Sequence, residues 1–486
     1  MRAARASSLL LALTAGCTSP PHSATTAPAR HGSSAAPAQG AHAAARAKSA
    51  RPDAGCTYRV AIVHSTPLEL RVDARCEGAG TTGFSVAEPA ALRFTRGDVG
   101  ASPRALIAAK ITNDGAAELS YTVDLAGLAR EADEIDVARA FGGSVLAPAS
   151  SFLLTPEPAV DGVPLRVRFD SPGIETGLRK SPDGDGYLLE SHELKVATYT
   201  TFGGREARDL AVGEAKVRLV VLDGALDLPT DVLARWVGDA AGGVARFFGR
   251  PPEPRTLVVL APVSGRHGIP FGKMLPESGP GLVVLVGEHT APEELHADWV
   301  LVHELFHAGT PSYLGEGKWY DEGLATYFEP LIRVRLGWRS EADLWAEFLR
   351  DMPRGLDAMT RRGLAHPIGY SDVYWGGGLF CLLADLEARR SSAGAVGLED
   401  GVRAVLAAGG VASEVWTLAH ATEVTDEALG APLLAELQQK HLERGSPVDL
   451  DGVFRELGVS IGRNGGVALD ARGPVAAARH ALVYGR

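Results

Sequence analysis

The chain has 486 residues, of which 45% are hydrophobic and 22% charged. That is an ordinary globular composition, with length enough for two or three domains. A net charge of −11, with no basic stripe interleaved with aromatics, excludes a nucleic-acid partner, because phosphate binding demands a clustered basic surface.

Arg2 and Arg5 precede the apolar run "SLLLALTA", and no acidic side chain occurs before Asp53. A basic start, an apolar centre too short to span a bilayer and small residues after it predict a secretory signal over 1–17. "LTAGC" is similar to the lipobox of bacterial lipoproteins, with Thr14 where leucine is usual. This similarity implies that Cys17 carries the lipid of an exported protein anchored to the cell envelope, periplasmic or surface-facing. Residues 18–55 are mostly Ala, Ser, Pro, Gly, Thr and His with scattered Arg and Lys, a composition that buries too little surface to order itself and predicts a flexible tether. No other segment is apolar and long enough to cross a membrane. Cys56 and Cys76 flank two strand-like runs and are candidates for a disulfide in an oxidising compartment, whereas Cys381 in "GLFCLLADL" reads as a small buried hydrophobe.

From 56 to 224 the chain alternates apolar and polar residues in short runs: "YRVAIVHS", "LELRVDARC", "LSYTVDLAGL", "PLRVRFDS" and "EAKVRLVVLDG". Gly, Pro and Asp separate them, which predicts an antiparallel β-sandwich. The texture changes near 229. "PTDVLARWVGDAAGGVARFFG" has helical period and stops at Gly249 with Pro251 and Pro252 beyond it. "TLVVLAPV" and "GLVVLVGEH" have strand length. "TAPEELHADWVLVHELFHAG" predicts one helix from Thr290 and Glu293 in capping-box spacing to Gly309. Helical periodicity continues from about 317, giving a second domain over 225–390 and a helical C-terminal region over 391–486.

Within that long helix lies "HELFH". His303 and His307, four apart, point the same way one turn apart, so both imidazoles reach a single ion. Glu304 points about 100° away, beside the ion rather than on it, where a general base belongs. A catalytic zinc needs a third protein ligand and an open fourth position. "WYDEGLATYFE" follows on its own helix after the loop "TPSYLGEG", and Glu322 would face the histidines across the hairpin. Glu316, Asp321 and Glu329 compete: Glu316 lies in a Gly-flanked loop and Asp321 points about 100° from Glu322. Glu329, two turns on, suits a role accepting a proton from a ligand imidazole. Thr310 and Tyr313 stand where a metzincin needs glycine and histidine, which excludes that arrangement.

The set His303-Glu304-x-x-His307, Glu322-Gly323-Leu324-Ala325 and Glu329 resembles the gluzincin metallopeptidases, closest to the glycyl aminopeptidase and aminopeptidase N families. The resemblance implies an α+β multidomain protein in which the β-sandwich precedes a thermolysin-like catalytic domain and a helical C-terminal region. It implies one Zn2+, a peptide or protein substrate, and an oxyanion-steadying tyrosine in "YSDVYWGGGLFCLLADLEARR". That tyrosine matches Tyr374, with Gly377 as its glycine and Tyr370 as the alternative. Three features depart from the family: the gap from His307 to Glu322 is short, no room is left for an extra peptide-binding module, and the amine-binding strand keeps Gly272 and Met274 but has Leu275 where a glutamate is usual. Glu277 and Glu288 are the nearest substitutes.

The expected chemistry is zinc-dependent peptide hydrolysis at the envelope by a metal-activated water, with Glu304 as base, in an aminopeptidase or endopeptidase mode. The rivals are a binding or scaffold lipoprotein on a peptidase fold and a structural zinc clip, the latter disfavoured because structural sites are usually closed by four protein ligands.

Overall fold

A computed structural model describes residues 54–97, 107–158, 163–313, 315–463 and 465–485. The expected signal, Cys17 and all but the last two residues of the expected tether lie outside them.

Alternation of apolar and polar residues builds the N-terminal region. Tyr58 and Val60, Leu70 and Val72, Tyr121 and Val123, and Leu165 and Val167 all point inward from strands Gly55–Ser65, Leu68–Glu77, Ala117–Asp124 and Pro164–Phe169. These strands belong to one eight-stranded sheet, accompanied by sheets of three and four strands. Contrary to the antiparallel expectation, Gly55–Ser65 pairs in parallel with Pro164–Phe169. The long excursion between them allows it, since a parallel pair needs a crossover. Cys56 and Cys76 sit opposite each other on neighbouring strands and form a disulfide. Cys381 is free and buried, as its apolar setting predicts.

The second sheet has five strands in the order Glu206–Val212, Ala215–Val221, Arg255–Val263, Gly281–Gly287 and Phe271–Leu275. It therefore begins before the boundary expected at 224. Ala215–Val221 pairs in parallel with Arg255–Val263, which requires the apolar run "KVRLVV" for this sheet. Both faces are covered, which accounts for the unbroken apolar runs in its central strands. Trp236, Phe247 and Phe306 from helices pack on one face with Leu219, Val258 and Val284. On the other, Phe141, Leu146 and Tyr199 of the N-terminal region join Leu257, Val259 and Val283. Residues Ala50–Arg486 accordingly form one compact unit.

The helix expected over 290–308 is two helices, Pro292–Ala297 and Val300–His307. Asp298 divides them: its backbone is extended, and its carboxylate accepts the amide of Leu301 at 3.2 Å, capping the second. Then come Lys318–Arg335, Glu341–Asp351 and Gly377–Ser391. Beyond 391 the chain is mainly helical, with one hairpin of Val459–Ile461 and Val467–Leu469, and its apolar side chains join the same core. No helix among the described residues is long and apolar enough to cross a membrane.

Two glycines set the spacing of the helices around the site. A Cβ at Gly323 would lie 2.5 Å from the backbone of Gly377, and one at Gly377 would lie 2.1 Å from the carbonyl of Trp319. Gly323→Ala is therefore expected to cost about 1–3 kcal/mol through overpacking. Denaturant unfolding checks this, and an unchanged midpoint would show that the helices are not in forced contact.

Candidate metal centre

Helical spacing places both histidines on the buried side of Val300–His307, and the hairpin through 308–317 brings Lys318–Arg335 against it. Oε2 of Glu322 lies 3.1 Å from Nε2 of His303 and 3.6 Å from Nε2 of His307. The three donor atoms lie within 4.8 Å of one another, and theirs is the one cluster of this kind among the described residues. Bonds of about 2.0–2.1 Å around a tetrahedral zinc separate its donors by about 3.3 Å, so this triangle fits that ion. Two neutral imidazoles and a carboxylate are also the donor chemistry zinc takes, and three ligands leave the fourth position open.

The charges point the same way. Burial alone would raise the Glu322 carboxyl, but hydrogen bonding from His303 and His307 and their charge hold it well below the usual range. Burial opposes protonation of His307, yet Asp321 and Glu322 beside it push its pKa well above the ordinary imidazole value. Both directions favour positive charge where the three donors meet.

Asp321, not Glu329, is the acid that accepts a proton from one of the two imidazoles. Nδ1 of His307 donates to Oδ1 of Asp321 at 3.1 Å, and the Thr310 hydroxyl donates to the same oxygen at 3.0 Å. This fixes the ring with Nε2 facing Glu322. The role expected of Glu329 does not hold. Its carboxylate pairs with Arg333 one turn on, in a buried contact, and Arg333 also donates to the carbonyl of Ala297 at 3.0 Å. Burial pushes the Glu329 carboxyl up to about 8 even with Arg333 beside it. An acid followed four residues later by arginine was the sequence signal for this pair.

Glu304 stands next to the triangle. Oε2 accepts the amide of Met274 at 2.9 Å from the edge strand Phe271–Leu275, and burial raises its pKa against the pull of both histidines. Gly272 makes room there, since a Cβ would lie 3.3 Å from Cγ of Glu304 and 2.3 Å from Val300. Tyr374 lies on a π-turn, Asp372–Gly376, a distortion frequent at functional sites. Its ring stacks on His303 with centroids 5.6 Å apart and planes within 10°. Tyr370 is further out, 5.9 Å from Tyr374. Of the candidate amine-binding acids, Glu277 is half-buried near Glu193 and Lys273, its carboxyl raised to about 7 chiefly by burial, and Glu288 accepts the amide of Gly265 at 2.9 Å.

Two outcomes follow for metal binding. Asp321→Asn should weaken zinc binding about 10–100-fold without unfolding the chain, as read by metal titration alongside circular dichroism. Because the raised pKa keeps His307 protonated to higher pH than usual, protons compete with zinc, and affinity should fall with acid starting above about pH 6.5. In Asp321→Asn that fall should begin at a lower pH. A pH-independent zinc affinity between pH 8 and 6 would contradict the assignment.

No protein-family model and no curated protein matches the chain. Solved structures do. An aminopeptidase N family protein from Idiomarina loihiensis aligns at a TM-score of 0.60 and 13% identity, covering 83% of this chain and 78% of that one. Mutant M1 zinc metallopeptidases from Deinococcus radiodurans align at TM-scores of 0.43 and 0.46 with 16% and 15% identity, covering 81% of this chain and 94% of theirs, the second of them bound to a Tyr-Ser-Ala substrate. What this chain shares with the Idiomarina protein is the fold, a mixed α/β arrangement of sheets and helices.

Proposed function

We propose that the protein is a zinc-dependent peptidase, aminopeptidase-like, working at the cell envelope. The observation that carries this reading is the triangle of three donor atoms from His303, His307 and Glu322 with Glu304 beside it. Zinc, when bound, supplies a Lewis acid that lowers the pKa of water towards neutrality and polarises a peptide carbonyl. His303, His307 and Glu322 would hold it, with Asp321 keeping the His307 ring in the required tautomer.

Glu304 is the general base. The Met274 amide occupies one carboxylate oxygen, leaving the other to take a proton from the attacking water and return it to the leaving amine. Its raised pKa brings it closer to the value that two-way proton transfer needs at neutral pH. Tyr374, stacked on His303, donates its hydroxyl to the developing oxyanion, a task worth about 3 kcal/mol.

A second reading, an endopeptidase of the same mechanism, is favoured by one observation: Leu275 ends the edge strand where a glutamate would bind the amine, and Glu288 accepts the amide of Gly265 instead. A peptide with a free amine compared with its acetylated twin separates the two modes. Export and lipid attachment at Cys17 belong to the same proposal. They are supported by the basic and apolar N-terminal sequence and by the Cys56–Cys76 disulfide, which suits an oxidising compartment.

Glu304→Gln should keep its zinc and lose about 10²–10⁴-fold in kcat, and Tyr374→Phe about 10²–10³-fold in kcat with KM little changed. Steady-state kinetics with zinc analysis of each variant checks both. Full turnover by Glu304→Gln would overturn the base assignment, and a chain that binds zinc but hydrolyses nothing would favour the scaffold.

A further inference from the structure

A large apolar side chain facing water needs an explanation when it stands beside a reactive site and not alone on a surface. Three exposed aromatics are found among the described residues, Trp299, Tyr370 and Tyr484; the first meets His303, and the second meets the tyrosine stacked on it. Trp299, 46% exposed, meets the His303 ring edge to face at 5.0 Å. Tyr370, 49% exposed, lies 5.9 Å from Tyr374, which itself stacks on His303. Ile368, 79% exposed, stands two residues from Tyr370 on the same loop.

These side chains are held in place by their backbones. Trp299 immediately precedes the metal helix, and its carbonyl accepts the amide of His303 at 3.1 Å. The loop carrying Ile368 and Tyr370 is closed by Asp372, whose carboxylate accepts the Ile368 amide at 2.8 Å and pairs with Arg362. The amides of Asp372 and Val373 both reach back to the carbonyl of Gly369. Rigid aromatic surface of this sort binds at low entropic cost, and the rim side chains carry no charge.

We infer that Trp299, Tyr370 and Ile368 form a subsite for an aromatic or large aliphatic side chain of the peptide, next to the bond being cleaved. The inference rests on the peptidase reading and narrows its substrate class. The rings of Trp299 and Tyr370 stack on or edge against the incoming side chain, and Ile368 covers it from the loop. Asp372 acts as a positioning residue for the loop and the π-turn.

Two chromogenic peptides that differ only in phenylalanine or glycine beside the scissile bond test this. The wild-type ratio of kcat/KM should favour phenylalanine at least tenfold. Trp299→Ala and Tyr370→Ala should each cut that ratio severalfold, and Trp299→Phe should keep it. The Glu304→Gln variant, titrated with both peptides by calorimetry, should show the same preference in Kd. A wild-type ratio near one, or a ratio unchanged in both alanine variants, overturns the subsite while leaving the peptidase reading intact. Preferential binding of the phenylalanine peptide with no hydrolysis by the wild type overturns the peptidase reading and keeps the subsite. Neither binding nor hydrolysis overturns both.

Discussion

Burying the Glu322 carboxylate beside two imidazoles takes it out of water at a cost of several kcal/mol, and positive charge at their common point is what offsets that cost. The two imidazoles hold the Glu322 carboxyl low, and Glu322 with Asp321 holds His307 high. A dication at the same point meets all three donors at once. Much of the surrounding structure serves to keep that carboxylate where it is. The Gly323–Gly377 contact sets how closely the two helices approach. Asp321 braces one imidazole, and the Glu329–Arg333 pair ties the glutamate helix to the carbonyl of Ala297, just ahead of the metal helix.

The five-stranded sheet is the floor of this arrangement. Its edge strand, Phe271–Leu275, lies against helix Val300–His307 and offers the Met274 amide to Glu304, so Glu304 is fixed by sheet backbone while His303, His307 and Glu322 stand on helices. The far face of the sheet is not bare. Phe141, Leu146 and Tyr199 cover it, which makes the N-terminal β region part of the support for the catalytic sheet. Tyr374 reaches the site from a third direction, on a π-turn whose start is pinned by Asp372. The edge strand at Glu304, and the glutamate helix and the π-turn at His303, are therefore three separately anchored elements around one point.

The closeness of His303, His307 and Glu322 was legible in the sequence because helical periodicity is a local property. His303, His307 and Glu304 follow from one turn of helix, and Glu322 from a short hairpin. What escaped the sequence is what depends on packing. Asp321 points away from Glu322 on its own helix, yet the hairpin turns that direction towards Nδ1 of His307. Glu329 shares a face with Glu322, but Arg333 was nearer to it than any imidazole. The break at Asp298 looks like a continuous helix because the apolar period runs through it, and only the extended backbone of that residue reveals the cap. The parallel pairing of Gly55–Ser65 with Pro164–Phe169 leaves no local trace, since either strand alone would satisfy either direction. Strand Ala215–Val221 likewise reads as one more β-domain strand until its partner is known.

The most direct measurement is zinc stoichiometry and coordination by X-ray absorption on the purified protein and its Glu322→Ala variant. The account predicts one zinc per chain with two imidazoles among its ligands, and a large loss of affinity when the carboxylate is removed. A chain that takes up no zinc, or one whose zinc is held equally well without Glu322, would contradict it.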